Sequence, residues 1–141
     1  MMQKQKGLTL VELMVVVAVM AVVASVAYPL YTNQVQKSRR ADAKVALQMV
    51  AMEQERFYTL NGRYTANLSS LPGVPSALSG GNSQEGYYSV AVALNSGGQG
   101  FSATATAKSS GAQSGDATNC ATFTLNNAGA KGKTGSASNC W

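Results

Sequence analysis

The sequence predicts an α+β fold. A long N-terminal helix, membrane-spanning in its first half and amphipathic in its second, packs on an antiparallel sheet of three or four strands. Three observations carry this prediction. Leu8 to Tyr28 is almost wholly apolar. Leu30 to about Asn61 is rich in Ala, Gln, Lys, Arg, Met, Glu and Leu and meets no glycine or further proline until Gly62. Beyond Gly86, short alternating segments are separated by clusters of Gly, Asn and Ser.

The chain has 141 residues, enough for one domain. From Pro29 onward about 110 residues remain, a size at which a small core benefits from a covalent staple. Net charge is +5, and without Lys4 and Lys6 the balance is nine basic against six acidic side chains. A surplus that mild does not by itself require a nucleic-acid partner.

Residues 1–7 are short, polar and basic. Leu8 to Tyr28 as a helix spans roughly 31 Å, the thickness of a bilayer core. Lys4 and Lys6 favour a cytoplasmic leader, with everything beyond Tyr28 outside. Three arrangements fit: a secretory signal cut near Ser25-Val26-Ala27, a plain anchor, or a leader cut at the cytoplasmic edge so that the apolar helix is kept. Glu12 favours the third. A carboxylate inside an apolar span costs at least about 2.5 kcal/mol, and a signal peptide or anchor gains nothing from it. Cleavage after Gly7 creates a new α-amine on Leu8, four residues before Glu12. In a packed assembly the amine of one subunit neutralises Glu12 of a neighbour, so burial of charge enforces the axial stagger.

Gly7-Leu8-Thr9-Leu10-Val11-Glu12 resembles the cleavage motif of the type IV pilin family, usually Gly-Phe-Thr-Leu-Ile-Glu. Leu8 and Val11 depart from that pattern, apolar for apolar. The resemblance implies cleavage between Gly7 and Leu8 by an inner-membrane prepilin peptidase, N-methylation of Leu8, and assembly through Glu12. It also implies residence in the inner membrane of a Gram-negative bacterium, followed by export into an extracellular pilus. The domain plan is a leader over 1–7, a transmembrane and assembly helix over 8–28, an amphipathic helix over 29–61, and a head over 62–141.

Pro29 removes one helical hydrogen bond and is expected to kink or loosen the helix there. At 100° per residue Ala43, Ala46, Leu47, Val50, Phe57 and Tyr58 share one side, the side expected to cover the sheet. Val45, Met49 and Met52 form a second apolar stripe for neighbouring subunits. Lys37, Arg39, Arg40, Asp42 and Lys44 are expected to form a solvated patch facing lipid headgroups.

In the head, Asn61-Gly62 stops the helix, with Tyr58 and Tyr64 on either side. Pro72-Gly73-Val74-Pro75 is a rigid turn and 79–83 a loop. Strands are expected over 87–94, 101–107 and 121–125, with a fourth around 130–134; Phe123 and Leu125 point inward. Short connections favour an antiparallel meander. Behind an export segment Cys120 and Cys140 read as one disulfide, closing a loop worth about 3 kcal/mol in the chain-entropy model. The resemblance implies that this is a surface-displayed C-terminal disulfide region. A chain ending Cys140-Trp141 resembles the PilE-type minor pilins.

The chain has no histidine, which removes the commonest general base and metal ligand. Without a nucleophile–base pair or a phosphate loop, the sequence reads as non-enzymatic and without a cofactor or metal. The expected role is a structural subunit, a minor pilin supporting pilus assembly, twitching motility, adhesion or DNA uptake. The alternatives are a major pilin or a type II secretion pseudopilin. An Asp-rich calcium loop of the latter has no match, since Asp116 is the only aspartate in the head. Expected partners are other pilin subunits, the prepilin peptidase, the inner membrane with its assembly platform, and DNA or a host surface. Lys108, Lys131 and Lys133, with Arg63, are the candidate phosphate contacts.

Overall fold

A computed structural model describes Gly7 and residues 9–141. Helix α1 runs over Leu10–Asn61. Its contacts divide the chain into two units, one ending at Val35 and one spanning Gln36–Trp141.

In the first unit Thr9 caps the helix: its Oγ1 accepts from the Glu12 backbone N–H at 3.2 Å. The order Thr-x-x-Glu puts an acceptor and a carboxylate in the turn where helical N–H groups lack partners. The large apolar residues of this unit, from Leu10 (74 % exposed) to Tyr31, all face outward. An 18-residue window reaches a mean hydropathy of 2.7, long and apolar enough to cross a membrane. The helix continues through Pro29 without interruption, where the Thr32 hydroxyl donates to the Pro29 carbonyl at 3.0 Å.

The second unit is a head with its own core. α1 contributes Ala43, Ala46, Leu47 and Val50, as its periodicity predicts, with Phe57 and Tyr58 half-buried beside them. Val45 and Met52 of the second stripe are exposed, whereas Met49 packs partly against the core. Gly62 ends the helix at φ +68°, its N–H donating to Tyr58 O at 2.8 Å, a left-handed stop that favours glycine.

Strands β1 (Tyr88–Asn95), β2 (Gly100–Ala107), β3 (Thr122–Asn126) and β4 (Lys131–Thr134) form one antiparallel meander in that order. The expected strands thus appear within a residue or so of their predicted ends, and the fourth is present. Two cross-strand rows fix the register: Val90–Ala105–Phe123–Lys133 and Val92–Ala103–Leu125–Lys131. Residues directly opposed across antiparallel strands share a face. The rows therefore run apolar through the core and end on lysines at the β4 edge.

Between helix and sheet the chain is held by polar side chains of α1. Gln54 is fully buried and clamps Thr65, donating from Nε2 to its carbonyl and accepting its N–H at 3.0 Å. The Glu53 carboxylate accepts the Gly73 N–H at 3.0 Å. A Cβ at Gly73 would stand 2.2 Å from that carboxylate, so any larger residue there would have to displace the Glu53 side chain that holds the turn. Before the 79–83 loop, residues Ser76–Ser79 form a short helix, α2, that anchors Leu78 in the core; sequence reading assigned no element there.

Candidate functional site

At the N-terminus Gly7 is exposed and Glu12 lies exposed in the first turn of α1. Leu8 and residues 1–6, which hold the rest of the processing motif, lie outside the described residues. A carboxylate in the first turn also complements the positive end of the helix dipole. This local role for Glu12 accompanies any role in assembly.

The charged stretch above the apolar span is not one solvated patch. Arg40 is buried, 7 % exposed, and makes a bidentate pair with Asp116: Nε to Oδ2 at 2.8 Å and Nη2 to Oδ1 at 2.6 Å. Its Nη1 donates to Asn139 O at 3.1 Å. Gln113 Nε2 donates to Asp116 Oδ2 and to Tyr88 Oη, both at 2.9 Å, and Tyr88 Oη donates to Asp116 Oδ2 at 3.3 Å. The hydrogen bond to Asp116, stronger here than the opposing cost of burial, holds the Arg40 guanidinium above its ordinary pKa. Burial and then the Asp116 charge push the Tyr88 phenol upward. The headgroup-facing expectation fails at Arg40 because its partner lies 76 positions away in the chain. The one sequence signal that pointed to a buried cation was Asp116, the only aspartate of the head.

This cluster fastens the tail. Cys120 and Cys140 are disulfide-bonded with a Cα–Cα distance of 5.7 Å. Trp141 follows, half-buried, with Nε1 donating to Gly132 O at 2.6 Å and its ring edge-to-face with Phe123 at 5.6 Å. The Lys131 ammonium stands 5.1 Å from the Trp141 ring centre, within cation–π range.

The candidate lysines divide. Lys131 and Lys133 are exposed and two residues apart on β4, at the open edge of the sheet. Lys133 Nζ donates to the Ala137 carbonyl of the tail. Lys108 follows the end of β2, two strands away, its N–H bonded to Tyr87 O at 3.1 Å. Arg63 lies beside Gly98, before the start of β2. The eight residues of β2 therefore separate Arg63 from Lys108 by roughly 25 Å. Lys44, which sequence reading left in the membrane-proximal cluster, sits instead within electrostatic reach of Lys131. Its ammonium is pushed below its ordinary pKa by burial first, then by the charges of Arg40 and Lys131. Among the described residues no group of three or more His, Cys, Asp or Glu is placed to hold a metal ion.

A capped apolar helix running into a disulfide-closed meander is the architecture of a type IV pilin. Residues 2–28 match the prokaryotic N-terminal methylation motif, and residues 29–124 match the family described as type IV minor pilin ComP, DNA uptake sequence receptor. The chain belongs to that family. It is 30% identical over 114 residues to prepilin peptidase-dependent protein D of Escherichia coli, covering 68% of this chain and 75% of that one. It is 32% identical over 62 residues to the type IV major pilin PilA of Myxococcus xanthus, spanning 44% of this chain and only 28% of PilA. Among solved structures, a type IV pilin from Shewanella oneidensis matches with TM-score 0.50 and 27% identity, covering 75% of this chain and 97% of that one. The non-core minor pilin PilV of Neisseria meningitidis shares the fold, with TM-score 0.53 and 20% identity over 76% of this chain and 94% of that one. The methylation motif and apolar helix indicate a protein anchored in the membrane first and carried outside in the pilus afterwards.

Proposed function

We propose that this chain is a minor subunit of a type IV pilus whose head binds DNA at the β4 edge. Prepilin peptidase cuts between Gly7 and Leu8 and methylates Leu8. Residues 8–28 then hold the subunit in the inner membrane until the assembly platform packs it against other pilins. Glu12 takes the α-amine of a neighbouring subunit as its counter-charge, and Pro29 gives the helix a point of lower hydrogen-bond density for that packing. The observation that carries the subunit role is the joint match of the methylation motif and the minor-pilin family over one chain. Mass spectrometry of sheared filaments tests it. N-methyl-leucine at position 8 is expected, at lower abundance than the main subunit; a mature N-terminus at Tyr28 would overturn it.

DNA binding draws on the family description and on the two exposed lysines at the sheet edge. Lys131 and Lys133 are the phosphate contacts of this reading, with Lys108 a separate contact two strands away. Replacing both by alanine should remove about two units from the salt dependence of binding. Affinity that does not change in the double variant would remove the DNA role and leave the pilin role in place.

A further inference from the structure

We propose that the head docks on a second copy of itself, the acidic groove at the β1 edge of one copy receiving Lys131 and Lys133 from the β4 edge of the next. This rests on the reading of the chain as a pilus subunit, and it adds that copies of the chain adjoin one another in the filament.

The groove lies between α1 and residues 84–87, the segment that leads into β1. It measures about 430 Å³, and its walls include Arg39, Asp42, Val45, Gln84, Glu85 and Tyr87. Asp42 Oδ1 accepts the Glu85 N–H at 3.2 Å, which keeps the two acids side by side. Asp42 Oδ2 is enclosed and has no hydrogen-bond donor. The carboxylate torsion of an aspartate is broad, so a small rotation offers that oxygen to an incoming donor. Arg39, the one cation of the groove, is committed elsewhere. Its Nη1 donates to Ala112 O at 2.5 Å, and its guanidinium stands 4.9 Å from the Tyr87 ring centre. Neither Asp42 nor Glu85 has a cation within salt-bridge distance among the described residues. The other acids of the head are engaged inside it: Asp116 by Arg40, Glu53 by the Gly73 N–H and Glu55 by the Tyr64 hydroxyl. The unanswered negative charge of the head is therefore gathered in this groove.

A lysine side chain suits it. Exposed Val45 and the Tyr87 ring offer an apolar wall to the methylene stem, and the two carboxylates take the ammonium. Lys131 and Lys133 are exposed and without a carboxylate partner among the described residues. Two apart on one strand, they share a face, so a pair of cations meets a pair of acids. The order β1-β2-β3-β4 puts them at the opposite edge of the sheet from the groove, three strand spacings or roughly 14 Å away. The two charged edges therefore meet only between copies. Unlike patches make a head-to-tail contact, which builds an open array instead of a closed pair, and complementary charge fixes its register. In each run of adjoining copies, one lysine edge stays uncovered at the end.

The test uses filaments sheared from cells that make the full chain with photoreactive p-benzoylphenylalanine in place of Val45. After irradiation, an adduct of twice the chain's mass is expected, joining the Val45 segment to the segment around β4. In that background Glu85→Lys should lower the adduct per chain in the filament about tenfold, and so should Lys131→Glu, because like charges then face each other. Glu85→Lys and Lys131→Glu together should restore it to within about twofold. An adduct only with a different pilin or only with another segment, or no adduct at all, would overturn the docking while leaving the subunit role intact. So would a combined variant as low as either single one, since a loss that charge exchange does not repair is structural. Absence of the native chain from the filaments would overturn the subunit reading and the docking with it.

Discussion

The two units of this chain invert the usual placement of side chains. From Leu10 to Tyr31 the apolar residues face outward, Leu10 at 74 % exposure and Met20 at 66 %, while in the head a guanidinium and a carboxylate are buried, Arg40 at 7 % and Asp116 at 0 %. The first unit is unfinished by itself, because its apolar surface needs lipid or other helices to cover it. The head is finished, and uses polar pairs to join segments that its modest core cannot hold alone. Substitutions should therefore act on assembly in one unit and on stability in the other.

The largest effect on stability is expected at Asp116. Asp116→Ala leaves the Arg40 guanidinium buried and unpaired, and should cost about 3–5 kcal/mol, read as a lowered denaturation midpoint of the head. Replacing Arg40 and Asp116 together by apolar residues of similar volume should recover most of that loss. A double variant as unstable as Asp116→Ala alone would mean that the other hydrogen bonds of the cluster matter more than the charges. Removing the disulfide with Cys120→Ser and Cys140→Ser comes next, at about 3 kcal/mol. Gln54→Ala should cost about 1–3 kcal/mol, since it leaves the Thr65 N–H and C=O without their partner. Val17→Ala should shift the head's midpoint by less than about 0.5 kcal/mol. A larger shift there would break the contrast between the units.

A smaller effect is expected at high pH. Burial, followed by the Glu55 hydrogen bond, raises the Tyr64 phenol to about 12. The folded head therefore keeps a proton that the unfolded chain loses near the ordinary value of about 10. Its contribution to stability is complete below about pH 10 and is lost as pH rises towards 12. Ultraviolet titration of tyrosinate, compared between the native chain and Tyr64→Phe, should show one late-ionising group removed.

Local periodicity made the scaffold legible. The stripe Ala43, Ala46, Leu47 and Val50 and the alternation around Phe123 and Leu125 are short-range patterns, and both faces are buried as they predict. Glu53 and Gln54 occupy the same buried stripe, but no short-range pattern marks them for burial, because their partners Gly73 and Thr65 become neighbours only in the fold. The site divided in the same way. Lys131 and Lys133 are two residues apart on one strand and were found together. Arg40 is 76 positions from Asp116, and only the folded head brings the two together.

The closed loop has a mechanical consequence. β3 and β4 both lie between Cys120 and Cys140, so the chain that forms the lysine edge is tethered covalently at both ends. A load applied at Trp141 passes through the disulfide to Cys120 and leaves the two strands slack. A load applied at Lys131 or Lys133 divides between two anchored arms. Either way β4 cannot be drawn out of the head in a line, and the lysine edge stays closed within the disulfide loop under load.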